Sequence, residues 1–198
     1  MITPHLDFLW YFDLLAANPA LFIPWKGDLV RQSVPRWLSE PYRFTGVGAA
    51  LTGARWSVKQ LMPAVYASTD PATLSAEANY KGQRYGWTQS DFKTQLIVGM
   101  HWELQKVLDL TAAATLAALK VQTKELLQCD WRAEQSGGTE PMTQAIARAA
   151  FENLAEGLVV PSARLPGGVN VVYFPTHRRA GTVIQMLDPA SIPFAHGL

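Results

Sequence analysis

Apolar residues recur along this chain in two rhythms. Within residues 5–17, Leu6, Leu9, Trp10, Asp13, Leu14 and Ala17 fall on one stripe of a 3.6-residue helix that ends before Asn18-Pro19. Over 142–155 the positions of Ile146, Ala147, Ala150, Phe151 and Leu154 are again helical, and Gly157 is the expected stop. A helix over 70–78 is announced by its start rather than its stripe. Asp70 offers a side-chain acceptor to the free N–H groups of a first turn, and Pro71 presets φ at the first helical position. The Ala- and Leu-rich segment 111–120 reads as helix, and 123–129 as a further helical turn.

Alternating or short unbroken apolar runs predict strands at 28–34, 64–67, 158–160, 169–174 and 182–187. Segments 94–98 and 103–108 read as two strands around a turn or bend. Gly, Pro and Ser concentrate in 35–53 and in Ser136-Gly137-Gly138, which read as loops. There is no internal repeat and no low-complexity tract. Strands with interspersed short helices and no regular βαβ alternation predict an α+β fold with a mixed or antiparallel sheet. A length of 198 residues suits one substantial core. The expected organisation is an N-terminal extension, 1–27, partly helical, followed by a single domain, 28–198.

Composition excludes several classes. With 48% apolar and 17% charged residues and seven Trp, the chain packs a core and is not disordered. The net charge is +1 and the longest basic run is Arg178-Arg179, so no stripe of cations is available to neutralise a nucleic-acid backbone. Cys129 is the only cysteine, which rules out an intramolecular disulfide or a cysteine-cluster metal site and fits a reducing compartment. His5, His101, His177 and His196 are scattered, and no metal is expected. Met1 to Asp7 lacks the cationic start of a secretory signal. The apolar stretch 6–25 is interrupted by Asp7, Asp13, Asn18, Pro19 and Pro24, so it makes no clean membrane span. A cytoplasmic location without membrane or direct nucleic-acid contact is the expectation.

Four segments add chemistry. They are Leu29-Val30-Arg31-Gln32-Ser33-Val34-Pro35-Arg36-Trp37; Gly48-Ala49-Ala50-Leu51-Thr52-Gly53-Ala54-Arg55-Trp56-Ser57; Pro63-Ala64-Val65-Tyr66-Ala67-Ser68 with Glu77 eleven residues after Tyr66; and Gly157-Leu158-Val159-Val160-Pro161-Ser162-Ala163-Arg164 followed by Asn170-Val171-Val172-Tyr173-Phe174. In this order and spacing they resemble the RES family, named for its Arg, Glu and Ser, over residues from about 29 to about 187. The resemblance implies an ADP-ribosyltransferase-like fold and a bacterial toxin of a toxin–antitoxin system. Its substrate would be NAD+, cleaved at the nicotinamide–ribose bond with water or phosphate as acceptor. Alternatives are an ADP-ribosyltransferase acting on a cellular protein and an NAD-binding domain without activity. An Xre-type helix-turn-helix antitoxin is the implied partner, and a homo- or hetero-oligomer stays open.

Position by position, the resemblance assigns Arg55, Glu77 and Ser162 to catalysis, and Arg31, Arg55, Tyr66 and Asn170 to the dinucleotide. The chain departs from the family pattern in four places. Gly53-Ala54 replaces Gly-Gly, Ser57 replaces a frequent Asn, and Val58-Lys59-Gln60 lacks the Gly of a Lys-Gly turn. A His often found shortly after the Glu is absent around Asn79, Tyr80 and Lys81.

The residue types suit the chemistry. Nicotinamide leaves NAD+ as a neutral molecule, so no general acid is needed. The enzyme must hold the pyrophosphate, grip the pyridinium and stabilise positive charge on the ribose. An Arg fork binds two phosphate oxygens at once, a Tyr face attracts a pyridinium, and a carboxylate steadies a ribose cation. A Ser hydroxyl can fix the carboxamide or that carboxylate. Each residue also has a plainer interpretation: a solvated Glu77, a surface Arg55, a core Tyr66, a turn Ser162, or an Arg31 paired to Asp28 or Glu40. The lone Gly46-Val47-Gly48 lacks the strand–helix context of a dinucleotide fingerprint.

Overall fold

The computed structural model describes residues 2–35, 44–86 and 96–187. Among these, one six-stranded sheet is built from β1 (Phe22–Ser33), β2 (Val65–Ser68), β3 (Leu96–Asp109), β4 (Gly157–Pro161), β5 (Val169–Tyr173) and β6 (Val183–Met186). β1, β2, β5, β4 and β3 pair in turn, and β3 returns to β1, so the sheet closes on itself. The β3–β4 ladder is parallel and the others are antiparallel. One long edge of β3 is taken by β1, and the other is shared between β6 and β4. The fold is mixed α+β, as the element pattern predicted.

Closure buries both faces of the short strands. Leu158, Val160 and Val172 enter a core shared with the helices, whereas Val159, Val171 and Tyr173 enter the core inside the sheet with Leu29, Met100 and Trp102. Side chains alternate in direction along a strand, so two apolar surroundings require an unbroken apolar run. Gly157, at the start of β4, lies where a Cβ would come within 2.2 Å of the Val172 carbonyl oxygen. The strands can approach this closely only with glycine there. Gly157→Ala is therefore expected to cost about 1–3 kcal/mol of stability in denaturant unfolding. Unchanged stability would mean the strands have room to part.

Seven helices flank the described sheet: α1 (Phe8–Ala17), α2 (Val47–Thr52), α3 (Pro71–Tyr85), α4 (Ala113–Ala118), α5 (Thr123–Gln128), α6 (Trp131–Ser136) and α7 (Met142–Glu152). α3 starts as Asp70-Pro71 predicted: the Asp70 carboxylate accepts from the Thr73 backbone N–H at 2.8 Å and from its hydroxyl at 2.6 Å. It ends on Gly86, which takes the left-handed conformation at φ +62°.

Several sequence expectations are corrected. Segments 94–98 and 103–108 are not separated by a turn. From Leu96 they form the single strand β3, whose Gly99 to Trp102 pair directly with Val30 to Gly27. Residues 94 and 95, and 36–43 of the predicted loop, lie outside the described residues. The described part of that loop contains α2, and α6 was not anticipated. α7 stops at Glu152, because Leu154 turns to φ +59° and Gly157 already belongs to β4.

α1 presents a different face from the one expected. Phe8, Tyr11 and Leu15 are buried and Leu14 is half-buried, while Leu6, Leu9, Trp10, Asp13 and Ala17 are exposed. Apolar residues surround this helix, so periodicity does not specify which side faces inward. Tertiary contacts do: α1 lies on α7, and Asn153 donates to the Phe12 carbonyl oxygen at 3.1 Å. The N-terminal residues are thus part of the helical core, and β1 runs through residue 27 without a break.

Candidate active site

A cleft of about 470 Å³ opens between α2, α3, α6 and the ends of β2, β4 and β5. Arg31, Arg55, Tyr66, Glu77 and Asn170 all line it, although 139 positions separate the first from the last. Ser162 is buried behind Glu77, at 4% exposure.

Local structure sets each side chain. Ala54 and Ser57 exchange both backbone hydrogen bonds, at 2.9 and 3.2 Å, which places Arg55-Trp56 at the tip of a tight turn. Gly53 enters that turn at φ +74°, with a prospective Cβ only 3.1 Å from the Gln135 side chain. Gln144 holds the turn from below by donating to the Ala54 carbonyl oxygen at 2.8 Å. Arg55 Nη1 donates to the carbonyl oxygens of Leu126 and Cys129, at 2.8 and 3.0 Å, where α5 ends. Burial lowers the Arg55 pKa, the guanidiniums of Arg164 and Arg132 push the same way, and the Glu77 charge opposes them.

Arg31 spans β1 and β2, where its Nη1 donates to the Tyr66 carbonyl oxygen at 2.9 Å. Burial lowers its pKa to about 10, which leaves it cationic at neutral pH. Of the two acids considered for it, Asp28 bonds His101 at 2.6 Å instead, and Glu40 lies outside the described residues. The Tyr66 hydroxyl accepts from the Trp56 backbone N–H at 3.2 Å, and burial raises the phenol's pKa.

The carboxylate of Glu77 is oriented by neighbours. Its Oε1 accepts from the Ser162 hydroxyl at 2.7 Å and from Asn170 Nδ2 at 3.2 Å. Asn170 is itself fixed by Ser68, whose hydroxyl donates to its Oδ1 at 2.7 Å. Ser162 Oγ also accepts from the backbone N–H groups of Arg164 and Leu165, at 3.1 and 3.2 Å. Every hydrogen bond described for Glu77 falls on Oε1, leaving Oε2 without a protein donor among the described residues. A carboxylate fixed on one oxygen and open on the other can stabilise a cation or bond a hydroxyl in the cleft.

Sequence reasoning missed Arg164, Tyr80, Arg132 and Trp131, which line the same cleft. The Arg164 guanidinium lies 3.3 Å from the Tyr80 ring centroid, and that of Arg132 lies 4.1 Å from the Trp131 ring centroid. Tyr80 was within reach of sequence reasoning, since it follows Glu77 by three residues on one helix and shares its face. Among the described residues no group of three or more His, Cys, Asp or Glu side chains is placed to hold a metal ion. No described helix is long and apolar enough to cross a membrane.

The fold and site define a mixed α+β domain with an arginine-lined cleft around one oriented glutamate. The model of the RES domain matches residues 28–195, and the chain belongs to the RES domain family. Among solved structures, it is similar to a chain of the crystal structure of the M. tuberculosis MbcT–MbcA toxin–antitoxin complex. That match has a TM-score of 0.65 at 21% identity and covers 93% of this chain and 92% of the other. At such identity the likeness concerns the fold. No curated protein sequence matches the chain.

Proposed function

We propose that this chain is an NAD+-cleaving toxin whose cleft takes the dinucleotide with its nicotinamide ribose at Glu77. Membership of the RES family supports the substrate class. The observation that carries the reading is the Glu77 carboxylate, held on Oε1 by Ser162 and Asn170 and unpartnered on Oε2 among the described residues. On this reading the closed sheet is ADP-ribosyltransferase-like.

The reaction breaks the bond between ribose C1′ and the pyridinium nitrogen. The bonding pair goes to nitrogen, so nicotinamide leaves neutral and the positive charge passes to the ribose. Glu77 faces that developing charge, while Ser162 and Asn170 prevent the carboxylate from rotating away. Arginine forks hold the pyrophosphate, and the half-buried Tyr66 ring supports the nicotinamide end. Water then adds to C1′ and loses a proton, giving ADP-ribose, or phosphate adds and gives its 1″-phosphate.

Incubation of the purified chain with NAD+, with and without phosphate, separates the outcomes by product. Free ADP-ribose or its 1″-phosphate is expected. Labelled protein without either product would replace cleavage by ADP-ribosyl transfer, and intact NAD+ with excess enzyme would sink the proposal. The toxin role extends this reading to a cytoplasmic bacterial setting with a helix-turn-helix antitoxin. Expression alone should deplete cellular NAD+ and arrest growth, and co-expression of the antitoxin should restore both.

A further inference from the structure

The cleft is more positive than NAD+ requires. Among the described residues its charged lining is Arg31, Arg55, Arg132, Arg164 and Glu77, a surplus of three positive charges in a chain whose net charge is +1. None of the four arginines is ion-paired to a described carboxylate; the described arginine salt bridges are those of Arg148. NAD+ brings two negative charges on its pyrophosphate and one positive charge on its pyridinium. With water as the acceptor it would leave most of that surplus unanswered in a partly buried site, where like charges raise one another's energy; with phosphate as the acceptor, the second anion would answer part of it.

The cations are also distributed along the cleft. Arg164 belongs to the Glu77 end: it follows Ser162 by two residues and stacks on Tyr80, one turn beyond Glu77 on α3. Arg132 belongs to the α6 end, three residues after the Cys129 carbonyl that Arg55 grips. Arg55 is within electrostatic reach of both. With the scissile ribose at Glu77, a dinucleotide lying along the cleft would pass its pyrophosphate by Arg164 and Arg55 and bring its adenosine half to Trp131 and Arg132. The Arg132 guanidinium lies over the Trp131 ring and is half-buried, and a guanidinium in that position can offer its N–H groups to a phosphate in a two-pronged contact.

We propose that the cleft is built for the 2′-phosphorylated dinucleotide, NADP+, with Arg132 binding the 2′-phosphate. This rests on the dinucleotide-cleaving function proposed above. A phosphate monoester adds about 1.5 to 2 negative charges at neutral pH, bringing the substrate close to the charge that the lining would neutralise. Arg132 is a specificity residue in this arrangement, because its contact lies at the opposite end of the substrate from the breaking bond.

The test compares initial rates for NAD+ and NADP+ with the full chain at one fixed ionic strength, since screening would otherwise blur a difference in charge. The wild-type kcat/KM for NADP+ is expected to equal or exceed that for NAD+. Arg132→Gln should lower the NADP+ to NAD+ ratio by about tenfold to a hundredfold, the worth of one charge-assisted hydrogen-bonded contact. A wild-type preference for NAD+, or a ratio that changes less than about threefold in R132Q, overturns the proposal. Adenosine 2′,5′-bisphosphate should also bind more tightly than AMP in calorimetry, an advantage that R132Q abolishes. This binding measurement tests Arg132 even in a chain that turns over neither dinucleotide, an outcome that would count against the cleavage function instead.

Discussion

Glu77→Gln is expected to leave a folded protein that consumes the dinucleotide about a hundredfold to a thousandfold more slowly, the usual loss for one oriented electrostatic partner of a transition state. The substitution is nearly isosteric. The amide oxygen can still accept from Ser162 and Asn170, so the contacts that fix the side chain survive. What disappears is the negative charge beside the ribose at the moment nicotinamide departs. The side chain is half-buried at the cleft, outside both hydrophobic cores, so the unfolding midpoint should move little. The expected signature is a fall in kcat larger than any rise in KM, because the ground-state ribose carries no full charge. A stable E77Q protein with near-native turnover would remove Glu77 from the chemistry.

Local chemistry was readable in the sequence wherever a residue acts on its own neighbours. Asp70-Pro71 predicted the start of α3 because capping involves only the next turn of chain, and the Thr73 bonds are where the rule puts them. The apolar runs at 158–160 and 169–174 read as strands because both their faces are buried. Pairing between distant segments was not readable. Asn170 reaches Glu77 because β5 is registered on β2 with Asn170 opposite Ser68, and nothing in either strand's sequence specifies that register. The Lys59-Gln60 turn is a case where a residue's type gave no hint of its conformation. Gln60 adopts the left-handed conformation at φ +63° although its side chain disfavours it. Arg132 and Trp131 gave no signal because α6 is six residues long and carries no repeating apolar stripe. Arg55 grips the carbonyls just ahead of that helix, a tertiary contact, and this places the helix beside the cleft.

Glu140→Ala is expected to cause the largest loss of stability, about 3 kcal/mol, by depriving the partly buried Arg148 of its main partner. The Glu140 side chain is 5% exposed and that of Arg148 is 14% exposed. The carboxylate accepts from Arg148 Nε and Nη2, each at 2.7 Å, in a two-pronged pair, and also from the His5 backbone N–H at 3.0 Å. Burial by itself would lower the Arg148 pKa, but the contact with Glu140 outweighs it and the net shift is upward. The same guanidinium lies 3.2 Å from the Phe8 ring centroid, so one ion pair ties α7, the segment before it and α1 together. Alanine at 140 removes two charged hydrogen bonds and leaves Arg148 dependent on Glu152, whose contact is longer at 3.3 Å and whose side chain is 39% exposed. Arg148→Met alone should also destabilise the fold, because it leaves Glu140 buried with only the His5 N–H. The double variant, Glu140→Ala with Arg148→Met, should recover much of the loss, since no unpaired charge remains in the core. Denaturant unfolding of the four proteins gives the coupling energy directly. Additive losses in that cycle would show that the pair does not hold the N-terminal helix to the core, and that apolar packing of Phe8, Tyr11 and Leu15 suffices.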